Sequence, residues 1–150
     1  MIEIPCPTEA DTAAVARKLA ATLRPGDLIL LAGGLGVGKT LFTTGLAAGL
    51  GIEEQVLSPS FVLVRQYRSG FLPLVHVDVY RLRSANEFDD LEVLDLGADG
   101  VVVIEWGDAL EGELPEDHLR IDFVVEEDGT RLLRLMPKGV WTERDLGLVA

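Results

Sequence analysis

A chain of 150 residues whose 25 acidic side chains outnumber 13 basic ones carries a formal charge of −12, which excludes bulk electrostatic capture of a polyanionic nucleic-acid backbone. Its 48% hydrophobic and 25% charged residues fall in the globular range, and the length suits one domain over residues 1–150. The sole cysteine, Cys6, excludes an internal disulfide framework and is expected to be inert. Met1-Ile2-Glu3-Ile4 has no basic n-region, and the longest uncharged apolar run, 28–38, is far short of the ~20 residues that span a bilayer, so a cytoplasmic protein without membrane contact is expected.

Thr8 and Asp11 have capping-box spacing, and Val15, Leu19 and Leu23 recur at i+4, which predicts an amphipathic helix over 8–23 ended by Arg24-Pro25-Gly26. The apolar run 28–32 predicts a buried strand, and 41–50 a helix. Residues 61–67 and 74–80 read as an antiparallel hairpin joined by Arg68-Ser69-Gly70, with Ser84 and Glu87 able to cap a short helix toward Leu91. Val101-Val102-Val103-Ile104 has the β-branched continuity of a strand buried on both faces. Residues 119–125 and 130–136 flank Asp128-Gly129, a strong hairpin-turn signal. The expected fold is α/β: a central mixed sheet flanked by helices, with a parallel core and antiparallel additions.

Between the first strand and the second helix stands Gly33-Gly34-Leu35-Gly36-Val37-Gly38-Lys39-Thr40, which fits G-x-x-x-x-G-K-[ST] at every fixed position. The bare pattern arises by chance on the order of once in 200 chains of this length. The strand-loop-helix setting that the motif requires is also present. Glycines let successive backbone N–H groups converge on phosphate oxygens at a helix N-terminus. Lys39 adds a point charge for the β- and γ-phosphates, and Thr40 a hydroxyl for Mg²⁺.

Two acidic positions complement the loop. Residues two apart on a strand share a face about 6.6 Å apart, so His76, Asp78 and Tyr80 project together while Val77 and Val79 face the core. The bland alternative is an edge strand with a solvated polar side. Because phosphoryl transfer needs a carboxylate to orient water or hold a metal, Asp78 becomes a site candidate. Glu105 ends a buried apolar strand, where α/β folds place their ligands. Trp106 either stacks near the site or, as the default expectation, fills the sheet edge. Arg81, Arg131 and Arg134 are the candidates for an arginine finger, which a partner could supply instead, and the default expectation for Arg131 and Arg134 is a solvated surface position.

The ordered set Gly33 to Thr40, Ser58-Pro59-Ser60-Phe61, His76-x-Asp78-x-Tyr80-Arg81 and Glu105-Trp106 resembles the bacterial TsaE (YjeE) ATPases. The resemblance runs over essentially the whole chain. Two positions depart from the usual pattern: Gly34 replaces an acidic residue within the variable part of the loop, and Ser60 replaces a threonine, keeping its hydroxyl. The resemblance implies a P-loop NTPase-like fold and an ATPase that needs Mg²⁺ and works slowly alone. It would act with the proteins TsaD and TsaB, without binding tRNA directly, in threonylcarbamoyladenosine (t6A) modification of ANN-decoding tRNAs. ATP turnover would support repeated threonylcarbamoyl transfer. On this sequence it implies that Gly36, Val37, Gly38, Lys39, Thr40 and Leu41 contact phosphates and that Thr40 and Glu105 hold Mg²⁺. Asp78 beside the γ-phosphate and Lys39 would be catalytic, and Glu9 would line the nucleotide site.

The rival readings are a small-molecule P-loop kinase, a GTPase and a module that uses ATP only as a structural clip. A kinase should add a lid and an arginine-rich acceptor pocket, for which there is no compact candidate. A GTPase should carry an N-K-x-D or T-K-x-D segment and a D-x-x-G element, and this chain has neither.

Overall fold

The computed structural model describes residues 1–34, 36–56, 64–79, 89 and 92–150, with 107–109 as backbone alone. The expectations for Ser58 to Phe61, Tyr80, Arg81 and the Ser84/Glu87 cap lie outside the described residues. Among the described residues seven strands form one sheet: β1 (Ile2–Cys6), β2 (Asp27–Ala32), β3 (Val64–Tyr67), β4 (Leu74–Asp78), β5 (Val101–Glu105), β6 (His118–Val125) and β7 (Arg131–Lys138). Their order is β1-β7-β6-β2-β5-β4-β3. The inner strands β6, β2, β5 and β4 run parallel. The strands β7, β1 and β3 are added antiparallel. The α/β architecture with a parallel core is therefore present as expected.

The uniformly buried strands are those with neighbours on both sides and layers on both faces. Every residue of β2, β4 and β5 is buried. On one face Ile29, Leu31, Val101 and Val103 pack into a core shared with the helices α1 (Glu9–Ala20) and α2 (Lys39–Gly49). On the other, Leu28, Leu30, Val102 and Ile104 pack with Val93 of the short helix α3 (Val93–Leu96), and with Leu110 and Leu114 beside the 3-10 segment Gly107–Glu113.

Helix α1 starts as its sequence requires. Thr8 Oγ1 accepts from the Asp11 N–H at 3.2 Å, and the Asp11 carboxylate accepts from the Thr8 N–H at 2.9 Å. It ends at Ala20, short of the expected residue 23, because the Thr22 and Leu23 N–H groups bond three residues back, to Leu19 and Ala20. Helix α2 begins two residues earlier than expected, at Lys39, directly out of the loop. Its Gly45 and Gly49 let it lie against α1: a Cβ at Gly45 would stand 2.9 Å from the Ala13 carbonyl oxygen, and one at Gly49 2.6 Å from the Ala20 Cβ. That close approach fixes where the N-terminus of α2 points.

The hairpins pair as expected, with one difference. Tyr67 faces Leu74 across the β3–β4 pair, so the connection spans 68–73 and is not a tight turn at 68–70. The Phe71 N–H donates to the Leu50 carbonyl at the end of α2, which draws the longer loop onto that helix. Strand β1 and the 3-10 segments near the C-terminus were not foreseen.

Candidate functional site

Strands β2, β5 and β4 end side by side, and their register sets Leu31 against Glu105 and Glu105 against Asp78. The Trp106 N–H donates to the Leu31 carbonyl at 2.8 Å, and the Val79 N–H to the Glu105 carbonyl at 3.3 Å. Immediately beyond β2 the chain turns through the glycine loop, with Gly36 and Gly38 at φ of +73° and +109°, values that side chains disfavour. Gly38 then caps α2 with no side-chain hydrogen bond. The helix N-terminus, and the positive end of its dipole, thus stands over the carboxyl ends of the parallel strands.

Lys39 is buried, with 5% of its surface exposed, which an ammonium tolerates only with polar company. Its Nζ donates to the Gly33 carbonyl at 2.6 Å and lies 3.4 Å from the centre of the Trp106 ring. Trp106 therefore sits beside the loop lysine and is not a mere edge filler. It holds a left-handed backbone at φ +65°, one of two non-glycine residues with positive φ among those described. Strain of this kind clusters at functional sites.

The Thr40 hydroxyl reaches Glu105 Oε2 at 3.5 Å. The same oxygen is hydrogen-bonded to His76 Nε2. These oxygens suit a hard cation: Mg²⁺ keeps several waters and completes its shell with phosphates, so one or two protein oxygens suffice. Among the described residues no group of three or more His, Cys, Asp or Glu could hold a metal by itself. Thr40 and Glu105 thus fit a shared ion of the Mg²⁺ kind and not a self-contained metal centre.

The polar face of β4 is not solvated. Because β4 lies between β5 and β3, His76 is fully buried and Asp78 is 8% exposed, which overturns the edge-strand alternative. Sequence spacing placed His76 on the face of Asp78 but gave it no role. The structure makes it the neighbour that orients the Glu105 carboxylate, a kind of contact that tunes metal-directed carboxylates.

Beyond the loop a cavity of about 180 Å³ opens toward the start of α1, lined by residues that include Glu9, Thr12, Gly36, Val37, Leu41 and Arg131. Glu9 and the loop therefore share one wall-to-wall space. Cys6 also lines it, and burial pushes its thiol up, away from the reactive thiolate. Arg131 is not a solvated surface arginine. Its Nε donates to the Val37 carbonyl at 3.0 Å, its Nη2 to Gly36 at 3.4 Å and its Nη1 to Gly129 at 2.8 Å. Arg134 does lie on the surface, 3.3 Å from Glu3.

Residues 6–133, which include every residue of this cluster, match the family model described as threonylcarbamoyl adenosine biosynthesis protein TsaE. The chain belongs to the TsaE family. The TsaE protein of Streptomyces coelicolor is 42% identical over 144 residues, covering 89% of this chain and 96% of its own. That of Bacillus subtilis is 44% identical over 117 residues, covering 74% of this chain and 70% of its own. Both are named as tRNA threonylcarbamoyladenosine biosynthesis proteins. The crystal structure of Bacillus subtilis YdiB superposes with a TM-score of 0.82 at 33% identity, over 98% of this chain and 93% of that one. Within this TsaE chain, the loop, Asp78 and Glu105 meet at one sheet end, and Glu9 lines the adjoining cavity. No described helix is long and apolar enough to cross a membrane.

Proposed function

We propose that this TsaE-family chain is a Mg²⁺-dependent ATPase that supports t6A modification of ANN-decoding tRNAs together with TsaD and TsaB. The observation that carries the reading is the convergence of Lys39, Thr40, Asp78 and Glu105 at the carboxyl ends of β2, β4 and β5. Phosphoryl transfer asks a protein chiefly for positioning and charge neutralisation. Lys39 and the N–H groups of Gly36, Val37, Gly38, Thr40 and Leu41 would supply these to the phosphates. Thr40 and Glu105 would hold Mg²⁺, which when bound neutralises charge on the β- and γ-oxygens.

Asp78 would orient the attacking water beside the γ-phosphate. A carboxylate with an ordinary pKa of about 3.9 is a weak base for water, so orientation is the larger part of its task. Glu9 and the cavity behind the loop would receive the rest of the nucleotide. The formal charge of −12 favours action through partner proteins in the cytoplasm over direct contact with tRNA. Hydrolysis would reset the assembly for repeated threonylcarbamoyl transfer. The test is phosphate release from Mg²⁺-ATP by the purified chain, alone and with TsaD and TsaB from the same cell. Slow release that the pair accelerates supports the proposal. Transfer of the phosphate to a small metabolite would replace it with a kinase, and no hydrolysis under any condition would leave ATP as a structural clip.

A further inference from the structure

We infer that Arg131 is a positioning residue for phosphate binding: from the start of β7 its guanidinium fixes two peptide planes of the loop so that their N–H groups face the phosphate. The inference rests on the nucleotide-binding reading above and adds a residue to it.

In a planar trans peptide the C=O and the N–H of one unit point in opposite directions. The Gly36 carbonyl shares its unit with the Val37 N–H, and the Val37 carbonyl shares its unit with the Gly38 N–H. Arg131 donates to both carbonyls, through Nη2 and Nε. Holding both carbonyls toward Arg131 turns both N–H groups the opposite way. Val37, between the two planes, packs its side chain into the core, but a Cβ built on Gly36 or Gly38 would meet nothing within 4 Å, so on either side of Val37 no side-chain packing restrains the planes and Arg131 supplies the remaining restraint.

The third guanidinium nitrogen, Nη1, donates to the Gly129 carbonyl in the β6–β7 turn. Arg131 itself is held in register against Cys6 of β1 and Val125 of β6. The bracket is therefore anchored in the sheet and reaches across the cavity wall to a loop 94 residues earlier in the chain. Only a forked donor reaches two successive carbonyls and a third in this way, whereas a lysine is a single point donor. Donors oriented before binding cost no reordering when the phosphate arrives, which is where the gain in affinity comes from.

The test is calorimetric titration of Mg²⁺-ADP into the wild-type chain, Arg131→Ala and Arg131→Lys, with the amide resonances of Val37 and Gly38 followed by NMR. Losing the bracket should weaken ADP binding about tenfold, as expected for hydrogen bonds from a charged group. Lysine should restore only part of that, KM for ATP should rise with kcat largely kept, and the ADP-induced shifts of the two amides should shrink. A purely structural arginine would lower the melting temperature of the unliganded protein yet leave the affinity of folded molecules and both amide shifts intact, and that result overturns the inference. Full rescue by lysine does the same. A wild-type chain that binds no ADP overturns the nucleotide reading instead.

Discussion

Strand β2 ends in two polar constellations, each built around a largely covered cation, and they are arranged in opposite ways. At its start, Asp27 receives the Arg144 guanidinium through two hydrogen bonds of 2.7 Å and the Arg24 N–H through one of 2.8 Å, while the Trp141 ring lies 4.0 Å from the guanidinium. The Asp27 and Arg144 side chains are only 6% and 11% exposed, so this is a closed two-pronged ion pair, with Arg144 Nε left without a hydrogen-bond partner, that fastens the C-terminal segment to the sheet. At its other end β2 opens into glycines, and Lys39 sits against a backbone carbonyl and an indole ring. There the hydroxyl of Thr40 and the carboxylates of Asp78 and Glu105 gather along the strand ends. Pairing a charge within the fold secures stability, whereas gathering donors and acceptors around a glycine loop prepares a place for a charged ligand.

The contrast has measurable consequences. Arg144→Ala leaves Asp27 buried without its cation and should cost about 3–5 kcal/mol of stability, read from urea unfolding. The affinity of the remaining folded protein for nucleotide should stay the same, and a large loss of affinity would mean that the two ends are not independent. At the other end, Asp78→Ala should keep Mg²⁺-ADP affinity while lowering turnover about 100-fold, measured by phosphate release. Equal turnover would reduce Asp78 to a strand residue.

A smaller effect is expected away from both ends. Burial alone would raise the Glu111 carboxyl, but hydrogen bonds from His118 and Arg120 outweigh it and hold the group below its ordinary value of 4.5. A depressed folded-state pKa gives stability that is complete above the unfolded value and is lost as pH falls through the folded one. Urea midpoints should therefore decline in that acid range, and Glu111→Gln should flatten the decline by less than about 1 kcal/mol, the scale of partly exposed pairs. An unchanged slope would remove Glu111 from the acid response.

Local signals were the legible ones. The Thr8/Asp11 box, the apolar run of β2, the glycine loop, the β-branched β5 and the Asp128-Gly129 turn each carry their cause within a few residues, so sequence located them and their sheet class. The candidate site was legible where its residues obey a motif, from Gly36 to Leu41, or a strand period, as at Asp78. Illegible were contacts that depend on strand order. His76 against Glu105 requires β4 to lie beside β5, and Arg131 on the loop requires β7 to bring its first residue near a segment 94 positions away. Trp106 over Lys39 depends on a left-handed backbone at the tryptophan itself, a conformation that its residue type does not announce. The alternation of Ile2, Ile4 and Cys6 was a usable signal for β1, but a five-residue strand is too short to stand out without its partner β7.

Titration calorimetry with Mg²⁺-ATP, comparing the wild-type chain with Lys39→Ala, tests the phosphate-loop reading most directly. The expected result is saturable binding by the wild type and a loss of at least about 100-fold in the variant, since a buried ammonium is removed from the phosphates. Equal affinity of the two proteins for Mg²⁺-ATP would contradict the assignment of Gly33 to Thr40 as the nucleotide site.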